Sequence, residues 1–123
     1  MLFRSHQPTP EGFAELRVFE ESMLKEIAAF LAELKSVRED GGTLLDRSMV
    51  LFGSPMSNGA AHSNTNLPIL LAGGGFKHGQ HLVFDTHRNY PLPNLFVSML
   101  QRLGIEADKF ASSTGTMRGL ETT

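Results

Sequence analysis

The chain has 123 residues and a mass of 13.5 kDa, the size of one ordinary domain. Hydrophobic residues make up 41% and charged residues 20%, which excludes a disordered composition. A net charge of -2 excludes a strongly basic nucleic-acid binder, and the lack of cysteine excludes disulfide scaffolds, thiolate metal sites and cysteine nucleophiles. The longest apolar run, Leu67 to Ala72, is far too short to span a membrane.

The opening Leu2-Phe3-Arg4-Ser5 carries no secretory signal. It fits the start of a truncated tail of a longer protein, or a short natural N-terminus. Thr9-Pro10-Glu11 then reads as a helix start: Thr9 caps, Pro10 suits the first position, and Glu11 meets the positive end of the dipole. Phe13, Leu16, Met23, Leu24, Ile27, Phe30, Leu31 and Leu34 recur at gaps of three and four, one helical stripe expected to face a core. Gly12 weakens the first turn, so the regular helix is expected to begin late. Asp40-Gly41-Gly42 is taken as the stop of a helix of about 25 residues.

Met49 to Phe52 and Leu67 to Ala72 are continuous apolar runs, the pattern of strands covered on both faces of an α/β sheet. Between them, Gly53 to Asn66 is rich in Gly, Ser, Asn and His, and a loop of that length is usually functional or disordered. Gly73-Gly74-Gly75 lacks the Gly-Lys-Ser/Thr of a phosphate loop and is expected to supply unusual backbone angles. Lys77 to Gln80 reads as a solvated turn, and His87 as exposed. A second helix starts at Pro93 or Asn94, buries Leu95, Phe96, Met99, Leu100 and Leu103, and stops at Gly104. Nothing marks a boundary inside residues 1–123, so the chain reads as a single domain segment.

Chemistry concentrates in the loop after the first strand. Ligands of α/β sheets gather beyond strand carboxyl ends, and small residues there allow close backbone approach. His62 is therefore a candidate metal ligand or general acid/base, or a loop histidine bonded to backbone. His78 and His81 stand three apart, but the glycines around them favour a turn over a shared metal. From Arg47 to Phe84 there is no carboxylate, whereas hydrolytic metals favour Asp or Glu beside His. Gly-x-Ser-x-Gly is missing, which argues against a serine hydrolase of that type.

Several stretches resemble the C-terminal part of the HXXSHH family of bacterial proteins. They are Gly42-Thr43-Leu44-Leu45-Asp46, Val50 to Gly53, His62-Ser63, and Asn66 to Gly74. Gly79-Gln80-His81-Leu82, Asn94-Leu95-Phe96, Leu103-Gly104 and Ser113-Thr114-Gly115 follow in the expected order. The resemblance runs from about Ser5 to Leu120. It implies an α/β fold: part of an alkaline-phosphatase-like sandwich with one long N-terminal helix, short buried strands and one C-terminal helix. It also implies a missing N-terminal part of the same protein, export from the cell, and a site resembling those of phosphate- or sulfate-ester hydrolases. A small-molecule ester or anionic ligand would occupy that site; no nucleic acid and no membrane span are expected. A divalent metal (zinc, calcium or manganese) is implied for the full-length protein only, with His62 and His6 as ligands. Ser57, Asn58, Asn64 and His81 would orient a ligand or water. The chain departs from the family where Asn58 replaces an acid and Asn64 a histidine, and the naming motif survives only as Ser5-His6. The alternative is an exported binding or cell-surface protein that kept the fold without its metals.

Overall fold

The computed structural model describes residues 9–121. Helix α1 spans Pro10–Ser36. Its start is set by Thr9, whose hydroxyl accepts from the Gly12 backbone N–H at 3.1 Å, with Pro10 in the first turn. Gly12 does not delay it: the cap bond, Glu11 at the positive dipole end and the long run of good helix formers outweigh one weak position. Arg17 and Glu21 add an ion pair one turn apart at 2.8 Å.

The helix ends before Asp40. Val37 turns extended, and Arg38–Glu39 (β1) pairs antiparallel with Gly42–Thr43 (β2). Asp40 and Gly41 both take positive φ, 43° and 83°, the backbone that two-residue hairpin turns require. Asp40-Gly41 is thus a hairpin turn and not a helix stop. A 3-10 turn at Leu45–Arg47 follows. It is organised by Asp46, whose carboxylate accepts from the Thr43 N–H at 2.8 Å and from the Thr43 hydroxyl at 2.7 Å. These two bonds, the hydroxyl's first, hold the Asp46 carboxyl below its ordinary value, and the Arg38 and Lys35 charges act in the same direction.

Met49–Gly53 (β3) pairs with Ile69–Gly73 (β4), in register from Met49 opposite Gly73 to Gly53 opposite Ile69. The pair is antiparallel and two-stranded, so the chain combines helices with small antiparallel sheets. The expectation of strands covered on both faces is not met among the described residues: Leu51, Ile69 and Leu70 are exposed. The apolar runs do form strands, but their cover is partial: Met49, Val50, Phe52, Leu71 and Ala72 are half-buried, and Gly73 is buried against the 3-10 turn. At the end of β4, Gly73, Gly74 and Gly75 all take positive φ, as the triple glycine suggested. Gly73 is also sterically obligatory, because a Cβ there would fall 2.1 Å from the Ser48 carbonyl oxygen and 2.3 Å from that of Leu45.

Helix α2 spans Pro93–Arg102 and gives way to Leu103 and Gly104. It holds Leu95 and Val97, the two buried apolar side chains among the described residues. Beside them Asn94, 1% exposed, ties the C-terminal tail down. Its side-chain oxygen accepts from Thr114 N–H at 2.9 Å, and its side-chain nitrogen donates to the Thr114 hydroxyl (3.2 Å) and the Thr116 carbonyl (3.3 Å). Ser98 continues the tie by accepting from Met117 N–H at 3.0 Å. Phe96 meets Phe110 edge to face at 5.8 Å.

The stripe on α1 departs from expectation. No residue of α1 is buried. Ile27, Leu31 and Leu34 are half-covered, while Phe13, Leu16, Met23, Leu24 and Phe30 are exposed. The helix touches the described elements chiefly at β2 and the 3-10 turn, near its C-terminal end, which is where the half-covered Ile27, Leu31 and Leu34 lie.

Candidate functional site

The loop from Ser54 to Pro68 joins β3 to β4 and is ordered by its own polar side chains. Ser54 opens it, its hydroxyl donating to the Met56 carbonyl at 2.8 Å. At the tip, Ser57 N–H donates to Ser63 O at 2.9 Å and Ser63 N–H to Asn58 O at 3.1 Å, closing a miniature antiparallel bridge. The Asn58 side-chain oxygen accepts from Ala61 N–H at 3.0 Å, the kind of local bond that Asn and Asp side chains use to hold turns. A carboxylate at this position would offer the same acceptor. His62 sits in that turn with a φ of 50° and an exposed side chain. Ser57, Asn58 and His62 are therefore brought together by the fold in one tight turn.

Asn64 and His81 lie elsewhere. Both line an open groove of about 1100 Å³ alongside β4, together with His78, His87, Phe84 and Tyr90. The expected set thus divides into a turn and a groove wall, and the turn residues are not part of that wall. His6 lies outside the described residues. Among the described residues no group of three His, Asp or Glu side chains is arranged to hold a metal ion.

Two features of the groove escaped the sequence reading. His78 is not a free turn residue: its Nε2 lies 2.7 Å from the Gly73 carbonyl oxygen, folding the 77–80 segment back onto the end of β4. Asn66 takes a positive φ of 52° and bridges two loops. Its side-chain nitrogen donates to Thr86 O at 3.2 Å, and its side-chain oxygen accepts from the Asn89 amide at 2.8 Å. Asn is among the few residues that tolerate this backbone, so an asparagine at the mouth of a strand was the available signal. Nothing in the local sequence marked the glycine carbonyl that His78 would find.

Against known proteins, the chain matches no family model, no curated protein and no solved structure. The polar side chains of the 54–68 loop are an imidazole, amides and hydroxyls with no carboxylate, and among the described residues they do not themselves form a divalent-cation site.

Proposed function

We propose that the chain is the C-terminal part of an exported HXXSHH-family protein with an alkaline-phosphatase-like sandwich. In that reading its 54–68 loop contributes to a phosphate- or sulfate-ester hydrolase-like site. The observation that carries it is the self-braced turn of Ser57 to Ser63, which places the exposed His62 beside Ser57 and Asn58 in the loop that follows β3. Residues outside the 54–68 loop would have to supply the acids; the loop itself offers the His62 imidazole, the Asn58 and Asn64 amides and the Ser57 hydroxyl. The resemblance to the family supports the ligand class, a small ester or anion.

A second reading has a specific observation behind it. Asn58 and Asn64 occupy the places where the resemblance would put an acid and a histidine, and no carboxylate stands between Arg47 and Phe84. That favours an exported binding or cell-surface protein that has kept the loop and lost its metals. One experiment separates the two. In the longest natural protein that carries this chain, zinc, manganese and calcium content and aryl-phosphate and aryl-sulfate hydrolysis are measured for the unaltered protein, for His62→Ala, and for Asn58→Asp combined with Asn64→His. The hydrolase reading expects bound metal that His62→Ala removes while the circular dichroism spectrum is unchanged. Metal-free unaltered protein that gains metal only in the Asn58→Asp, Asn64→His variant supports the binding protein. Metal content unmoved by His62→Ala ends the ligand role.

A further inference from the structure

The segment from Lys77 to Leu92 contains neither strand nor helix, yet polar bonds fix its course along β4 at both ends. At its start, the Lys77 N–H donates to Leu120 O at 3.1 Å, His78 meets the Gly73 carbonyl, and the Gln80 amide donates to the Lys77 and Gly119 carbonyls. Further on, Asn66 holds Thr86 and Asn89, and the Asp85 carboxylate accepts from the His87 and Arg88 N–H groups at 2.8 and 3.1 Å. Phe84 and Tyr90 pack edge to face at 5.0 Å. The groove of about 1100 Å³ that this segment shares with β4 is therefore walled before any ligand arrives. Its volume lies just above the roughly 300–1,000 Å³ typical of small-molecule sites.

The wall also has a sign. Apolar side chains dominate it, and Ile69, Leu70 and Val83 are exposed there. Lys77 lines the groove, and no Asp, Glu or Arg does. Two carboxylates stand close by, Asp85 within the segment and Glu121 next to the Leu120 that Lys77 meets. Both already accept from backbone N–H groups, Glu121 from that of Gly119 at 2.7 Å. The side chains of Lys77, His81 and His87 have no hydrogen-bond or ion-pair partner among the described residues. Each imidazole carries an N–H donor in either tautomer. The groove thus offers unspent donors and one ammonium against an apolar floor.

We propose that this groove binds a soluble amphiphilic monocarboxylate, its apolar chain along β4 against Phe84 and Tyr90 and its head group at the Lys77–His81 end. One ammonium neutralises one negative charge, which favours a carboxylate over a dianionic phosphate ester. A cationic head would meet Lys77 with like charge and find no carboxylate on the wall. The site goes beyond the ester-hydrolase reading: Ser57, Asn58 and His62 do not line it, and it needs no metal.

The test is calorimetric titration of the protein with decanoate, decanol and decyltrimethylammonium, each at concentrations where it is monomeric. Decanoate should bind at least about tenfold more tightly than the other two, the margin of one charge-assisted hydrogen bond. Lys77→Gln, which keeps the backbone bond to Leu120, should erase most of that margin and leave decanol unmoved. Val83→Glu, at a solvent-open position on the wall, should weaken decanoate and strengthen decyltrimethylammonium. Amide shifts on adding decanoate should fall on β4 and residues 77–92. Equal affinity for all three probes, or binding of none, would overturn the proposal. So would decanoate affinity unchanged in both variants, or shifts confined to other segments. A dimer by native mass spectrometry that takes up no decanoate would give the groove to a second copy instead. Decanoate binding by a protein that hydrolyses no ester leaves this site standing, and ester hydrolysis by a protein that ignores decanoate removes it and spares the hydrolase reading.

Discussion

The two α-helices among the described residues make opposite bargains with their surroundings. Helix α1 is 27 residues long and buries none of them; helix α2 is 10 residues long and buries Asn94, Leu95 and Val97. The first is written in local terms: a threonine cap, a proline in the first turn, and an ion pair one turn apart. The second is too short to be stable by propensity and is held by what folds over it, the tail from Phe110 to Met117. Helix length and amphipathic pattern therefore say that a helix forms, while the location of the core depends on partners elsewhere in the chain.

That contrast can be broken most forcefully at Leu95. Leu95→Ala should lower the opening free energy of the α2 amides by about 2–5 kcal/mol, the cost of truncating a buried leucine, as read by hydrogen exchange. Asn94→Ala comes next, at about 1–3 kcal/mol, because it leaves the Thr114 N–H and the Thr116 carbonyl without their partner. Its signature should be loss of protection in the 113–117 tail before α2 itself. At the other helix, acid should act through the exposed Asp46 carboxylate at its foot. Because the folded form holds that proton less tightly than the unfolded chain, the stabilisation is complete above the ordinary carboxylate range. It fades as pH falls through the lowered value. Asp46→Asn should remove this acid dependence from the 38–47 amides and leave that of α2 untouched. The smallest effect is expected at Phe13, 60% exposed, where Phe13→Ser in residues 1–123 should change α1 protection by no more than about 0.5 kcal/mol. A loss as large as that of Leu95→Ala would mean that α1 is packed after all.

What the sequence made legible follows the same division. Thr9-Pro10, Pro93 and Gly104 marked helix ends because capping is a local property, and the triple glycine foretold its positive φ values for the same reason. Asp40-Gly41 was ambiguous because that dipeptide also serves the tight hairpin it forms here. The apolar runs identified β3 and β4, but an uninterrupted apolar strand reads alike whether its cover lies in the same chain or beyond it. In the candidate site, the small polar residues announced a loop, and the loop's own bonds brought Ser57, Asn58 and His62 together. The places of Asn64 and His81 on the groove wall depend on how the 77–92 segment returns along β4, which no local pattern encodes.

The Thr43–Asp46 unit at the foot of α1 has a consequence for the order in which the chain acquires structure. Its bonds, like the one from Leu44 N–H to Val37 O, join residues only a few positions apart, so forming them closes very short loops. Pairing β3 with β4 must first close the whole 54–68 loop, and the Asn94 tie must bring in residues twenty positions away. Contacts of low sequence separation form fastest, so the 37–47 hairpin and turn are expected to be the first tertiary structure to appear during refolding. Pulse-labelling should find the Thr43 and Leu44 amides protected while Thr114 N–H still exchanges freely. Simultaneous protection of all three would mean that the distant ties set the pace.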